Sequence, residues 1–235
     1  GVIVSQMSPP SCRLFSLAQG KDACFKTNNI NAGTSSCHGR NACFGVEDST
    51  IDNDSCHGGA ACSSIEDSTV GNESCQGYDS CYGMKNGIIG KGSCHGKDSC
   101  YDIKNVIIGK GSCTGDDYSS DSCRDVSDST IGNDSCHGEQ ACFNVDHITV
   151  GDESCEGDYS CYHMKNVIIG KGSCNGDGYS CAGDAVTASE NVKIGNNSCN
   201  GKEVCKKCKH NVPDDACNQG ITTDLTASGY CKYCM

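Results

Sequence analysis

Cysteine is the residue with the most chemistry to offer in this chain, and it recurs on a fixed spacing. Cys37, Cys56, Cys75, Cys94 and Cys113 fall 19 residues apart, and Cys43, Cys62, Cys81 and Cys100 keep the same period. Thiols in this number either ligate metal or pair as disulfides. The total of 24 in 235 residues is even, which suits a disulfide framework, and such a framework persists in an oxidising compartment.

Other groups invite a metal or a modification. Histidine follows the leading cysteine at His38, His57, His95 and His137, but Gln76, Thr114, Glu156 and Asn175 fill the same column, so an exposed polar turn is the plainer reading. Cys205-Lys206-Lys207-Cys208 and Cys231-Lys232-Tyr233-Cys234 have the spacing of a four-cysteine zinc ribbon. Among so many oxidised cysteines, disulfides are the expectation there too. Asp48, Asp67 and Asp128 share a column with Asn86, Asn105, Asn166 and Asn191, a pattern that suits a hydrogen-bonded corner better than calcium. Asn53, Asn72, Asn133 and Asn196 open N-glycosylation sequons at one position of the repeat. No acid, base and Arg or Lys grouping escapes the repeat, so no catalytic residues, no resident metal and no cofactor are expected.

The intervals between cysteines suggest how they pair. Thirteen residues separate Cys24 from Cys37, Cys43 from Cys56, and so on to Cys161 and Cys174; the interval from Cys181 to Cys199 alone is longer. The other interval varies between six and twelve. A constant segment reads as the body of a coil, and a variable one as a surface loop. A disulfide at the base of each loop gives Cys12–Cys24, Cys37–Cys43, Cys56–Cys62, Cys75–Cys81, Cys94–Cys100, Cys113–Cys123, Cys136–Cys142, Cys155–Cys161, Cys174–Cys181 and Cys199–Cys205. Pairing along the column is the alternative, because stacked strands lie ~4.8 Å apart. Pairings among Cys208, Cys217, Cys231 and Cys234 stay open.

The elements that must hold these residues are short strands. A fixed period near 20 residues marks a solenoid, in which one repeat cannot bury its apolar face alone. One column reads Ile51, Val70, Ile89, Ile108, Ile131, Val150, Ile169, Ile194 and must face inward. A second apolar column runs from Val46 through Ile65, Met84, Ile103, Val126 and Val145 to Met164, and a third stacks Phe44, Tyr82, Tyr101, Phe143 and Tyr162. Alternation along a strand turns Ile88, Ile107 and Ile168 outward, in line with Thr50, Thr69, Thr130, Thr149 and Lys193. Glycine four before and two after the leading cysteine marks the turns. Serine precedes every leading cysteine from Ser11 to Ser198, and its hydroxyl column is placed to hydrogen-bond along the stack. An 80-residue offset relates the coil at Cys56 to that at Cys136, a duplication of four coils.

Composition agrees. There is no Trp and there are only three Leu, so a leucine-rich repeat is excluded and nothing but staples would keep so polar a chain folded. The net charge of −12 argues against nucleic acid. No stretch is long enough to span a membrane. The chain opens at Gly1 without a signal peptide, and a leader removed before this point is expected. The reading is all-β: a single parallel β-helix of about ten disulfide-stapled coils, right-handed. Residues 1–36 form an N-terminal strand and atypical first coil, 37–205 the repeat, and 206–235 a cysteine-rich C-terminal cap in which the period is lost.

The phrase Ile-Gly-Asn-Asp-Ser-Cys-His-Gly-x-x-Ala-Cys-Phe at 131–143 and its copies resemble the cysteine-rich β-helix repeat proteins of microalgae, diatoms especially, over residues 30–205. That resemblance implies a secreted or surface protein. A looser likeness, to the cysteine-stapled β-solenoid antifreeze proteins of insects, is interrupted by Ile88, Ile107, Ile168 and Lys193 where those proteins carry Thr.

The expected function is therefore structural: an extracellular building block of a filament or surface coat. Its partner would be further copies of itself, head-to-tail, through the β-prone Val2-Ile3-Val4 and the apolar patch at Ile88 and Ile107, with N-linked glycans as decoration. An adhesin or glycan-binding module using the loops at Gly115–Ser122 and Asp177–Ser180 is the second reading, and ice binding the third.

Overall fold

The computed structural model describes residue 23 and residues 28–115, 122–176, 178–182, 191–219, 225–226 and 231–234. Val2, Ile3, Val4, Cys12 and Cys24, which carry the expected N-terminal strand and first staple, lie outside these residues.

Nine two-residue strands form one parallel sheet in chain order: β1 Asn31–Ala32, β2 Thr50–Ile51, β3 Thr69–Val70, β4 Ile88–Ile89, β5 Ile107–Ile108, β6 Thr130–Ile131, β7 Thr149–Val150, β8 Ile168–Ile169 and β9 Lys193–Ile194. Each strand belongs to one coil, or rung, and pairs with its equivalent in the next: Thr50 with Thr69, Ile88 with Ile107, Ile107 with Thr130. The four-residue insertion before Cys123 leaves this register intact. The fold is thus an all-β, single-sheet parallel solenoid, and at ~4.8 Å per rung the nine strands span about 38 Å.

The strands are short because the coil turns almost everywhere else. Both cysteines of each staple from Cys37–Cys43 to Cys174–Cys181 adopt left-handed backbone, as at Cys56 (φ 59°) and Cys62 (φ 53°), and so do corner residues such as Asp48 and Asn86. For non-glycine residues this conformation costs about 1–2 kcal/mol each. Stacking must offset that cost. Donors point alternately to the two neighbouring rungs: Cys56 N–H reaches Ser74 O forward at 3.0 Å, and Asp54 N–H reaches Thr34 O backward at 3.0 Å. Where rungs approach most closely glycine is favoured, since a Cβ on Gly90 would lie 2.6 Å from the Gly109 carbonyl carbon; Asp52 and Pro213 are the exceptions in this column.

The core is a narrow tube. Ile51, Ile89, Ile108, Ile131 and Ile169 are almost wholly buried, as are Val46, Ile65, Met84, Ile103 and Met164 across from them. A third inward column, which the sequence reading did not identify, alternates in type: Ser49, Ser68, Val106, Ser129, Ile148, Val167 and Val192 are all buried. Its serines satisfy themselves within the stack; Ser68 Oγ donates to Glu66 O at 2.6 Å and accepts Gly87 N–H at 3.1 Å.

The period is not lost after Cys205, which corrects the sequence reading. Residues 211–219 form a tenth rung, offset by 18 residues instead of 19. Ile194 bridges Val212 in parallel. Gly195 N–H donates to Val212 O at 2.8 Å, and Cys199 N–H to Ala216 O at 3.0 Å. Cys217 therefore stands in the leading-cysteine column. Comparison of Lys193-Ile194-Gly195-Asn196-Asn197-Ser198-Cys199-Asn200 with Asn211-Val212-Pro213-Asp214-Asp215-Ala216-Cys217-Asn218 shows why it is hard to see: the two signature residues, glycine and serine, are replaced by Pro213 and Ala216.

Candidate functional site

The cysteines form a spine. Among the described residues each variable loop is closed at its base, from Cys37–Cys43 through Cys113–Cys123, with its longer loop, to Cys199–Cys205. Beyond them Cys208 joins Cys234, and Cys217 joins Cys231. The zinc-ribbon spacing is thus spent on disulfides, with Cys205, Cys208, Cys231 and Cys234 divided among three bonds. The spine is continuous: the sulfurs of Cys56, Cys62 and Cys75 lie within 4.8 Å of one another, as do those of Cys142, Cys155 and Cys161. Such clusters have the compactness of a metal site, but their sulfurs are already oxidised and offer no thiolate.

Beside the spine runs the serine column, completely buried from Ser55 to Ser198. From Ser55 to Ser173 each hydroxyl takes the N–H of the next serine and donates to a glycine carbonyl of the next rung; Ser198 takes Ala216 N–H and donates to Pro213 O. Ser93 Oγ, for example, accepts Ser112 N–H at 3.1 Å and donates to Gly109 O at 2.7 Å.

The histidines are part of the same stacking. His38 and His57 lie ring on ring, with centroids 4.8 Å apart, and His57 Nε2 donates to Ser35 O at 2.5 Å. His95 repeats that bond to Glu73 O, and His137 meets Thr114 Oγ1 through Nδ1. The Asp and Asn column is a corner ladder, in which Asn29 Nδ2 donates to Asp48 Oδ1 at 2.7 Å and Asn105 Nδ2 to Asp128 Oδ1 at 2.6 Å. The sequon asparagines also work through their amide oxygens. Asn53 Oδ1 accepts Thr34 N–H, Asn72 Oδ1 accepts Asn53 N–H, Asn133 Oδ1 accepts Lys110 N–H and Asn196 Oδ1 accepts Lys171 N–H.

The aromatic column forms two ring pairs joined by a cation. Tyr82 stacks on Tyr101 at 5.3 Å, Arg124 sits between Tyr101 and Phe143, and Phe143 stacks on Tyr162 at 5.5 Å. Burial raises the Tyr101 hydroxyl above its ordinary value, helped by Tyr82. A neighbouring cluster gathers Tyr159, Tyr179 and Lys206, with Tyr179 stacked on Tyr159 at 5.0 Å and Lys206 Nζ 4.6 Å from the Tyr179 ring centre. The bond Tyr159 donates to Glu139 raises its hydroxyl. Rings stacked along the axis present edges to solvent, so they offer few open faces to a ligand. Asp79, beside Asp98, is also raised, chiefly by desolvation.

What remains exposed and unspent is the sheet face. Ile88, Ile107 and Ile168 are each 52 % exposed, on a line with Thr50, Thr69, Thr130 and Thr149. Lysines and carboxylates flank this line. Four of the lysines form exposed ion pairs with the preceding rung: Lys85–Glu66, Lys91–Glu73, Lys165–Asp146 and Lys171–Glu153, all between 3.3 and 3.6 Å. Apart from the Asp48, Asp67 and Asp128 column, the flanking charges were not singled out from sequence, because their signs alternate and only the fold shows that they share a face.

No helix among the described residues is long and apolar enough to cross a membrane. No curated protein and no solved structure matches the chain. Residues 15–119 and 116–188 match, in two successive copies, the family described as a domain of unknown function, DUF7640. That match takes in most of the repeat, and the chain belongs to this family.

Proposed function

We propose that the protein is an extracellular structural protein, a stiff rod that serves as the building block of a filament or surface coat and has no enzymatic role. One observation carries this reading: among the described residues, the groups that could have done chemistry are consumed in holding the stack. Each loop-base disulfide closes its own rung, serines and corner asparagines bond from rung to rung, and most histidines follow them. Buried, closely spaced disulfides fit an oxidising, extracellular setting, and the resemblance to microalgal surface proteins is in keeping with it. Glycans at Asn53, Asn72, Asn133 and Asn196 would attach through Nδ2, leaving each amide oxygen in its ladder.

Assembly through the long face fits the described rungs better than end-to-end pairing. The tenth rung offers no N–H at Pro213 and no hydroxyl at Ala216. Electron microscopy of native surface material, labelled with an antibody to the rod, tests the proposal: a regular lattice or filament is expected. The cluster of Tyr159, Tyr179 and Lys206 beside the Cys174–Cys181 loop favours a glycan-binding module as the second reading. A dispersed protein that binds a glycan array and loses binding on Tyr179→Ala would overturn the structural reading, as would thermal hysteresis in the purified protein.

A further inference from the structure

The exposed sheet face changes character in blocks of two rungs. On β2 and β3 the outward residues are threonines, and the positions flanking each strand are acidic: Glu47, Asp48 and Asp52 on one rung, Glu66, Asp67 and Glu73 on the next. On β4 and β5 they are Ile88 and Ile107, flanked by Lys85, Lys91, Lys104 and Lys110. On β6 and β7 the face returns to threonine, with Asp128, Asp134, Asp146 and Asp152 at its sides. On β8 it is Ile168 between Lys165 and Lys171. The order is acid, base, acid, base. Reversing that order exchanges every sign.

We propose that two copies of this chain pair face to face across this surface, antiparallel, about a two-fold axis that lies between β5 and β6 along the strand direction. The axis brings β5 opposite β6, β4 opposite β7 and β3 opposite β8 of the second copy. Every lysine-bearing rung then meets a carboxylate-bearing one. Lys85 faces Asp146 of the second copy, Lys91 faces Asp152, Lys165 faces Glu66, and Lys110 faces the Asn133–Asp134 corner. Ile88, Ile107 and Ile168 come onto the methyl groups of Thr149, Thr130 and Thr69. The contact is isologous, so each pairing occurs twice. The parallel arrangement is excluded by the same charges, because it sets each rung against its own copy, and like charges opposed at an interface cost several kcal/mol. Two further features support a partner. Lys104 and Lys110 have no ion pair among the described residues, and the isoleucines are the largest aliphatic side chains left exposed.

This inference rests on the structural reading, since it supplies the lateral contact a coat would need. Sedimentation velocity on the full chain, with disulfides intact, tests it. The wild type should be a dimer at low salt and dissociate as salt rises toward about 0.5 M, where screening shortens to a few ångströms. Lys110→Glu should weaken the dimer by about tenfold or more. Lys110→Glu combined with Asp134→Lys restores both symmetric contacts and should return affinity to near wild type. A wild type that stays monomeric at every salt concentration, a dimer indifferent to Lys110→Glu, or a double variant no tighter than the single one overturns the pairing. So does a monomer that instead binds dextran sulfate through the lysine rungs. None of these results touches the micrographs of native material, so a failed dimer and a failed structural role are told apart.

Discussion

Ser74 Oγ accepts the backbone N–H of Ser93 at 3.3 Å, and the same hydroxyl donates to Gly90 O at 2.8 Å. One buried oxygen thus ties two points of the next rung. Ser74→Ala would strand the Ser93 N–H where no water reaches it. The expected cost is about 1–3 kcal/mol, measured by denaturant unfolding with the disulfides intact. A loss below about 0.5 kcal/mol would mean the ladder is ornamental. Ser74 also completes the sequon of Asn72, so Ser74→Thr separates the two roles: it keeps the sequon while adding a methyl group to a closed site.

Ile88 and Ile89 are neighbours with opposite surroundings, one half exposed and the other 1 % exposed against the inner column. Ile89→Ala should cost about 2–4 kcal/mol by transfer and cavity together. Ile88→Ala should stay within about 0.5 kcal/mol when measured at high salt. Equal losses at the two positions would mean that the face is covered within the monomer.

Much of this architecture could be read from residue columns, for a physical reason. A solenoid repeats one environment, so each environment leaves its mark at a fixed spacing. The inward isoleucines, the outward line at Ile88 and Ile107 and the loop-base cysteines are legible because only a narrow class of residue fits each place. The column of Ser49, Val106 and Ile148 was not, because a buried serine that bonds to a neighbouring carbonyl packs in the same space as a small aliphatic residue. The tenth rung escaped because Pro213 and Ala216 delete the very residues that mark a rung. The charge blocks escaped because their meaning lies between rungs, in an order visible only once Lys85 and Asp146 are known to share a surface.

Asp79 is held above the usual carboxylate range by desolvation and by Asp98. A carboxyl whose folded value is raised is disfavoured in its ionised form, so it destabilises the fold above that value, and the penalty vanishes as pH falls below its unfolded value. Asp79→Asn should therefore melt higher than wild type at pH 7, with the gap closing toward pH 3. A gap that widens on acidification would show that the charge is instead paired.

The stacked spine makes a single lost cysteine worse than a lost pair. Cys56→Ser frees the Cys62 thiol, whose sulfur lies within 4.8 Å of Cys75. The Cys62 thiolate can attack the Cys75 sulfur, forming Cys62–Cys75 and expelling the Cys81 thiolate, which then has neighbours of its own. Peptide mapping should find the Cys62–Cys75 link in Cys56→Ser, while Cys56→Ser with Cys62→Ser loses only one small loop's staple, about 2–3 kcal/mol. A homogeneous single variant with every other pair intact would show that the rungs hold their sulfurs too rigidly to exchange.

The last prediction concerns the end of the stack. A solenoid's final rung is an open edge that templates further pairing unless it is blunted. Gly195 spends its N–H on Val212 O, and Ser198 spends its hydroxyl on Pro213 O at 2.6 Å. One rung on, Pro213 has no N–H and Ala216 has no hydroxyl, so two of the donors that would bind a further rung are missing. Proline also resists the close approach that glycine allows between rungs. Pro213→Gly with Ala216→Ser rebuilds both donors while keeping Cys217 and its bond to Cys231. The double variant should associate end to end as concentration rises, giving rods in electron micrographs at multiples of the wild-type length, at high salt where the lateral face is silent. Rods of unchanged length would show that the loss of these two donors is not what ends the stack.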